Sequence, residues 1–249
     1  CRGRVSRMTK DLRGIDAIAF DLDGTLVDSA PDIREALNAA LQQEGLARFD
    51  LDTVRAWIGD GPDALIVQAL RRQGMPGDEA LRLRLRRAFD AVTLAAPLQF
   101  GGVFEGIAEL VAGLRRTLPM VVHTNKPTPL ARAVLDAAVL LPAMAGVYGA
   151  DAAAQRKPAP FLLQAAARQL GVEPARLLMV GDGPADLLAA HAAGCPAALV
   201  AWGYGGHAAA AGAAPAWRVA TPQQLLLTVR ESRPVRRDEE ATTTATTRV

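Results

Sequence analysis

The sequence predicts an α/β fold whose parallel sheet is interrupted by a helical insertion, and three observations support this. Five short apolar runs end in loops, at residues 15–20, 120–123, 146–149, 177–180 and 197–201. From Met120 onward the runs alternate with helical patterns, which is typical of βαβ units. Residues 29–98 contain no convincing strand. Together these features indicate a Rossmann-like parallel sheet core with an inserted all-helical cap domain.

The first apolar run ends in an Asp-Leu-Asp-Gly-Thr turn at residues 21–25. An apolar run with β-branched and aromatic members, closed by Gly, indicates a buried strand followed by a tight turn. Because side chains at i and i+2 of a strand share a face, Asp21 and Asp23 are expected to point into one site. That site would lie at the carboxyl edge of the sheet, where open α/β folds bind ligands. Two adjacent carboxylates need a cation or a shared proton to relieve their repulsion.

Helical periodicity follows directly after this turn. Apolar residues recur at i, i+4, i+7 and i+8 in two sets, at positions 33, 37, 40, 41 and at positions 81, 85, 88, 89. We expect three or four helices that form a lid over the two aspartates, since such lids exclude water and complete a site on closure. The arginines at positions 82, 84, 86 and 87 are expected to form the solvated face of the last helix.

The rest of the chain completes the predicted core. Helices are expected at Gly106–Arg116, Thr128–Ala138, Ala159–Leu170 and Ala185–Ala193. Gly194 then follows as a residue common just after a helix. The predicted domains are a core of residues 14–28 and 99–230 and a cap of residues 29–98. The polar tails, 1–13 and 231–249, are expected to be disordered.

Composition excludes several classes of protein. Two cysteines, Cys1 and Cys195, are too few for a disulfide scaffold or a structural zinc site. No apolar run approaches the roughly 18 residues of a membrane helix, and the basic start leads into no signal-peptide apolar region. A net charge of +2 does not favour nucleic acid as a partner. We therefore expect a cytoplasmic protein, a monomer or homodimer, with neither membrane nor nucleic acid as its partner.

Three further polar motifs stand beside predicted strands and helices. Thr-Asn-Lys-Pro occupies residues 124–127, Lys157-Pro158 precedes a helix, and Gly-Asp-Gly-Pro-Ala-Asp occupies residues 181–186. Each motif alone also fits a turn or a helix cap. Lysine is rare, with three residues among 28 basic ones, so we interpret the lysines at 126 and 157 as marking sites that need a compact ammonium. His123, within the strand, is expected to be a hydrogen-bonded core residue.

Together, the four motifs resemble those of the haloacid dehalogenase-like phosphohydrolases, over about residues 15–230. Further stretches resemble the phosphoglycolate phosphatase branch, at residues 27–29, 124–127, 157–160, 189–194 and 202–205. The resemblance implies a Mg²⁺-dependent phosphatase for a small phosphomonoester, with 2-phosphoglycolate as the first candidate substrate. A phosphatase of a sugar phosphate or nucleotide, a sugar phosphomutase, and a binding module without catalysis are the alternatives.

This resemblance also implies roles for the motif residues. Asp21 is expected to attack phosphorus, and Asp23 to protonate the leaving alcohol and then activate the water that hydrolyses the aspartyl phosphate. Asp21, the backbone carbonyl of Asp23, and Asp182 would hold the metal, and ligands that are all oxygen favour Mg²⁺. Thr124 and Lys157 would bind the phosphoryl oxygens, where charge spreads in the transition state.

Four further residues complete the predicted site or its surroundings. Asp186, one helical turn after Asp182, is expected to support Lys157 or a metal-bound water. Gly24 lets the backbone approach the phosphate, and Thr25 and Asn125 are assigned to substrate binding by their places in the motifs.

The cap sequence carries the clues to substrate choice. Arg55, in the segment Arg-Ala-Trp-Ile-Gly, could bind a substrate carboxylate bidentately. Residues 29–98 contain no Lys and no His, which disfavours a phosphonate hydrolase that uses a cap Lys to form a Schiff base. Gly101 stands where the branch usually has Pro, a difference that bears on the substrate more than on the chemistry.

Overall fold

The structure is a computed structural model that describes residues 12, 14–75, 77–205 and 213–232. A six-stranded parallel sheet forms its centre, and a two-stranded ribbon lies beside it. The strands are β1 (Ala17–Phe20), β2 (Val27–Asp28), β3 (Gly102–Val103), β4 (Met120–Thr124), β5 (Gly146–Gly149), β6 (Leu177–Gly181), β7 (Ala197–Val200) and β8 (Trp217–Val219). The main sheet has the order β5-β4-β1-β6-β7-β8, and β2 pairs antiparallel with β3.

Nine α-helices are found among the described residues. They are α1 (Ala30–Gln43), α2 (Leu51–Arg55), α3 (Pro62–Arg72), α4 (Glu79–Ala95), α5 (Ile107–Leu114), α6 (Thr128–Ala137), α7 (Phe161–Leu170), α8 (Pro184–Ala193) and α9 (Pro222–Glu231). The five predicted strands and the four predicted core helices are confirmed. Strand β8 was not predicted, because three residues with a central Arg218 show no apolar run.

Strand β1 is buried on both faces of the sheet. Ile18 and Phe20 pack into one apolar cluster and Ala17 and Ala19 into the other. The first cluster includes side chains of α5, α6 and α9, and the second includes side chains of α7 and α8. A parallel strand covered by helices on both sides reads as a continuous apolar run, which explains the strong signal at residues 17–20.

The strand order places the predicted motifs together. β1 lies between β4 and β6, and all three strands run in the same direction. Their carboxyl ends therefore meet at one edge, at the point where the chain switches from one side of the sheet to the other. Asp21 follows β1, Thr124 ends β4, and Asp182 follows β6.

Helices α1 to α4 form a separate cluster over this edge. Its apolar side chains come from residues 33–89, apart from Leu130, which α6 of the core contributes. The described residues between 29 and 98 include no strand. Residues predicted for the helical repeats at 37, 41, 81 and 85 are buried. The proposed domain limits at 29 and 98 stay a prediction.

Asp32 ties the two chain connections of this helical cluster to each other. Its carboxylate lies in the first turn of α1 and accepts three backbone N–H groups. The donors are Gln99 at 2.6 Å, Phe100 at 2.9 Å and Gly101 at 2.7 Å. Proline at position 101 would lack the third donor. A Cβ at this position would also overlap the Asp28 carbonyl oxygen, which gives the glycine found there a structural reason.

The described residues include no helix long and apolar enough to cross a membrane. Leu12 is buried, and its N–H donates to the Ser232 hydroxyl at 3.1 Å. Most of the two tails that were predicted to be disordered, residues 1–11, 13 and 233–249, lies outside the described residues.

We predict that Asp32→Ala lowers the free energy of unfolding by about 2–4 kcal/mol, because three N–H groups lose a charged acceptor. Chemical denaturation of the purified variant measures this change. Glu109→Ala is the matched control, since Glu109 also lies in the first turn of a helix but is exposed. Equal unfolding midpoints for the two variants would contradict the prediction.

Candidate active site

Three carboxylates meet at the carboxyl edge of the sheet. They belong to Asp21 after β1, Asp182 after β6, and Asp186 in the first turn of α8. One oxygen of each lies within 4.8 Å of the others, and all three residues are buried. The convergence predicted from the motifs is present. Asp186, which was predicted only to support the site, is itself one of the three clustered carboxylates.

Lys157 lies between two of these carboxylates. Its Nζ is 2.8 Å from Asp21 Oδ1 and 2.7 Å from Asp186 Oδ1. Burial opposes the charged ammonium, but the two carboxylates overcome that effect and raise the pKa of Lys157 above its usual range. The lysine therefore remains an ammonium at the centre of the cluster.

One ammonium does not balance three carboxylates. Burial raises the pKa of Asp21 to about 7, and the neighbouring Asp186 adds to that effect. Burial also raises the pKa values of Asp182 and Asp186. The donor set is all oxygen, with neither His nor Cys in the cluster. This chemistry fits a hard divalent cation, which would supply the missing positive charge.

The chain fixes one oxygen of Asp182 through its backbone. Asp182 Oδ2 accepts the N–H groups of Tyr204 at 2.6 Å and Gly205 at 2.9 Å. Its other oxygen is contacted by the Thr25 hydroxyl at 3.3 Å. The carboxylate is thus held in one orientation, and its Oδ1 has only the longer contact with Thr25. Thr25 does not line the pocket described below, and substrate binding by Thr25 stays a prediction.

The local structure requires glycine at position 24, in addition to the predicted approach of the backbone to phosphate. Its φ is +85°, a left-handed conformation that favours glycine. A Cβ at this position would lie 2.5 Å from Asp182 Oδ2. The turn therefore needs glycine in order to lie against the acidic cluster.

The carboxylate of Asp23 is held apart from the three others. Lys126 Nζ lies 2.7 Å from its Oδ1 and 2.8 Å from its Oδ2, and the Ser29 hydroxyl donates to Oδ1. Lys126 is only 5% exposed. It was not among the predicted site residues, although the rarity of lysine and its place in the motif at residues 124–127 both pointed to it.

The segment after β4 connects the core to the helical cluster. Thr124 is buried, and its hydroxyl oxygen accepts the Lys126 N–H at 3.1 Å. The Asn125 side chain donates to the Gly59 carbonyl at 2.8 Å and accepts the Lys157 N–H at 2.7 Å. Both ends of this amide are therefore engaged with protein, and substrate binding by Asn125 stays a prediction.

A pocket opens between the acidic edge and the helical cluster. Asp21, Asp23, Thr124, Asn125 and Lys126 line its floor. The walls of the pocket are mostly apolar. They are formed by Ile33, Trp57, Ile58, Gly59, Gly61, Pro62, Leu65, Phe89 and Leu130.

Arg55 is not brought to this pocket. It does not line it, and its guanidinium lies 3.1 Å from Asp52 on the same short helix. The i, i+3 spacing on α2 favours this local pair, a contact that the segment's resemblance did not indicate. A substrate contact by Arg55 would require a different arrangement of this helix.

The Trp-Gly-Tyr-Gly segment at residues 202–205 has a role that sequence reasoning missed. The Tyr204 hydroxyl donates to Asp28 Oδ1 at 2.7 Å and accepts the Ala30 N–H at 2.9 Å. The Trp202 indole N–H donates to the Thr25 carbonyl at 2.9 Å. The loop therefore connects Asp182 to the start of α1. Only its likeness to the branch marked it in the sequence.

His123 differs from its prediction. It is fully buried, but neither ring nitrogen has a hydrogen-bond partner among the described residues. Burial lowers its pKa well below the usual value, and the nearby ammonium of Lys157 adds to this. The ring is neutral and packs as an apolar group.

Sequence comparisons relate the chain to known hydrolases. A family model described as haloacid dehalogenase-like hydrolase matches residues 15–194. A phosphoglycolate phosphatase from Caulobacter vibrioides is 41% identical over 195 residues, which cover 78% of this chain and 82% of that protein. Another from Escherichia coli strain K12 is 35% identical over 214 residues, with coverage of 78% and 83%.

Solved structures show the same architecture. A protein described as a predicted phosphoglycolate phosphatase from Haemophilus somnus has a TM-score of 0.79 at 27% identity, and the match covers 87% of this chain and 98% of that one. CbbY from Rhodobacter sphaeroides, solved in complex with phosphate, has a TM-score of 0.73 at 27% identity, with coverage of 85% and 96%.

We predict that Gly203→Ala lowers the free energy of unfolding by about 1–3 kcal/mol, because a Cβ there would overlap the Gly24 carbonyl oxygen and Asp182 Cβ. Thermal and chemical unfolding measure the effect. Gly183→Ala is the matched control, since its Cβ would meet nothing closer than 3.7 Å. A control variant that is as unstable as Gly203→Ala would contradict this interpretation.

Proposed function

Since the chain belongs to the haloacid dehalogenase-like hydrolases, we propose that it hydrolyses a small phosphomonoester through a phosphorylated Asp21. The arrangement of Asp21 carries this proposal. Its buried carboxylate is 2.8 Å from the Lys157 ammonium and lines the pocket together with Asp23. A carboxylate held beside a cation, at the base of a pocket, is suited to attack a phosphoryl group.

Asp23 is suited to the proton transfers of this reaction. It lines the same pocket but makes its contacts with Lys126 and Ser29, away from the acidic cluster. In the first step it would protonate the leaving alcohol, and in the second it would take a proton from the water that attacks the aspartyl phosphate. The separation of its contacts from those of Asp21 supports two different roles.

Fixed positive and polar groups would stabilise the transferred phosphoryl group. The Lys157 ammonium and the Thr124 hydroxyl would donate to its oxygens, which gain charge in the transition state. Asp21 and Asp182 would hold Mg²⁺, with the backbone carbonyl of Asp23 as a third ligand and Asp186 within reach. The cation would neutralise charge on the phosphoryl oxygens when bound. The helical cluster above the pocket would limit the access of water.

We propose 2-phosphoglycolate as the substrate, because several relatives that are 35–41% identical carry the name phosphoglycolate phosphatase. Among the described residues, the helical cluster contributes no cation to the lining of the pocket, and the second phosphate of a sugar bisphosphate would need one, so a phosphomutase is less favoured. Three expectations stay predictions. They are the cytoplasmic location, the absence of nucleic acid as a partner, and the oligomeric state of monomer or homodimer.

We predict that Asp21→Asn lowers kcat for phosphate release by at least about 10³-fold, since an amide cannot act as the nucleophile. A phosphate-release assay over small phosphorylated metabolites measures this. Asp136→Asn, on an exposed position of α6, should keep wild-type activity. Full activity of Asp21→Asn would exclude the covalent mechanism.

Removal of divalent cations with EDTA should abolish turnover, and added Mg²⁺ should restore it, because three carboxylates face one ammonium. Asp182→Asn should raise the Mg²⁺ concentration for half-maximal activity by about tenfold or more. Titration of activity with Mg²⁺ measures both effects. Unchanged activity of the wild-type protein in EDTA would contradict the proposed metal site.

A further inference from the structure

We infer that Lys126 binds the carboxylate of the substrate and makes the enzyme selective for phosphomonoesters with an anionic group one carbon from the ester oxygen. This inference rests on the proposed phosphatase function. It assigns recognition of the leaving group to the core of the protein rather than to the helical cluster, where Arg55 was predicted to act.

The charges around the pocket lead to Lys126. Among the described residues that line the pocket, Lys126 is the only cation. The helical cluster contributes apolar side chains such as Trp57, Leu65 and Phe89. An anionic leaving group in this pocket would therefore find one positively charged partner.

The other two candidates are engaged elsewhere. Lys157 lies between Asp21 and Asp186, where it serves the phosphoryl end of the site. Arg55 lies 3.1 Å from Asp52 and does not line the pocket. The remaining donor of Lys157 is assigned to the phosphoryl oxygens, and Arg55 lies outside the pocket, so neither is placed to bind a carboxylate on the leaving group.

Lys126 retains hydrogen-bonding capacity. An ammonium has three donors, and the described residues that accept from Lys126 Nζ are the two oxygens of Asp23, at 2.7 and 2.8 Å. With the residue only 5% exposed, the remaining donor is largely shielded from bulk water. A buried ammonium with a spare donor offers strong binding to an added carboxylate.

The chemistry of the ester places its carboxylate near this donor. Asp23 has to lie about 2.6–3.2 Å from the leaving oxygen in order to protonate it. In 2-phosphoglycolate the carboxylate is one carbon away from that oxygen. Since Lys126 Nζ lies within 2.8 Å of both Asp23 oxygens, it would be close to both the leaving oxygen and the attached carboxylate of a bound ester.

A pair of matched esters tests this inference. The substrates are 2-phosphoglycolate and 2-hydroxyethyl phosphate, which replaces the carboxylate with a hydroxymethyl group. Wild-type protein should prefer the acidic ester, and Lys126→Met should lower the ratio of kcat/KM values, acidic to neutral, by about 10- to 100-fold. The change should come mainly from a raised KM for 2-phosphoglycolate.

The ratio separates recognition from catalysis. Lys126→Met also removes a contact of Asp23, but that loss affects both esters and cancels in the ratio. Arg55→Met is the control and should leave the ratio unchanged. An unchanged ratio in Lys126→Met, or a fall in Arg55→Met of the same size, overturns the inference while the phosphatase function stands.

Two further outcomes are decided by additional measurements. Wild-type protein that releases phosphate from neither ester, but does so from another small phosphomonoester, contradicts 2-phosphoglycolate as the substrate and, with it, this inference. If Lys126→Met has no measurable turnover, calorimetry compares 2-phosphoglycolate binding to Asp21→Asn and to the Asp21→Asn, Lys126→Met double variant. Weaker binding to the double variant supports the inference, and equal binding overturns it. Lys126→Gln replaces Lys126→Met if that protein does not fold.

Discussion

The site depends on one buried ion cluster, in which the Lys157 ammonium lies between the carboxylates of Asp21 and Asp186. Removing one partner of such a cluster leaves an uncompensated charge in the interior, which proteins tolerate poorly. The lysine makes contacts of 2.8 and 2.7 Å with carboxylates from the end of β1 and the start of α8. It therefore connects distant parts of the chain and fixes the position of the Asp21 carboxylate.

The architecture around this cluster separates the tasks of the site. The sheet brings Asp21, Thr124 and Asp182 to one edge, because β1, β4 and β6 are neighbours. The ion pair between Lys126 and Asp23 lies beside them, where the leaving group would be. Above both, the helical cluster supplies an apolar wall and is tied to the core through Asp32, Tyr204 and Asn125. A chain with few lysines places two of them at the centre of its site.

The sequence predicted the sheet and the acidic cluster well, because both follow from local patterns. Buried parallel strands are apolar throughout, and the residues after them must meet at one edge. It could not predict contacts that depend on tertiary partners. The pairing of Lys126 with Asp23, of Tyr204 with Asp28, and of Arg55 with Asp52 follows from side-chain packing. The short strand β8 also carried too little pattern to be found.

The most direct test of the account is to look for a phosphoryl group on Asp21 during turnover. The protein is mixed with substrate and Mg²⁺, quenched rapidly in acid, and mapped by peptide mass spectrometry. The account predicts one phosphorylated peptide, which contains Asp21, and its loss in Asp21→Asn. Phosphate release accompanied by phosphorylation of another residue would contradict the account. So would the absence of any phosphorylated peptide under conditions in which breakdown of the aspartyl phosphate is slow enough for it to be trapped.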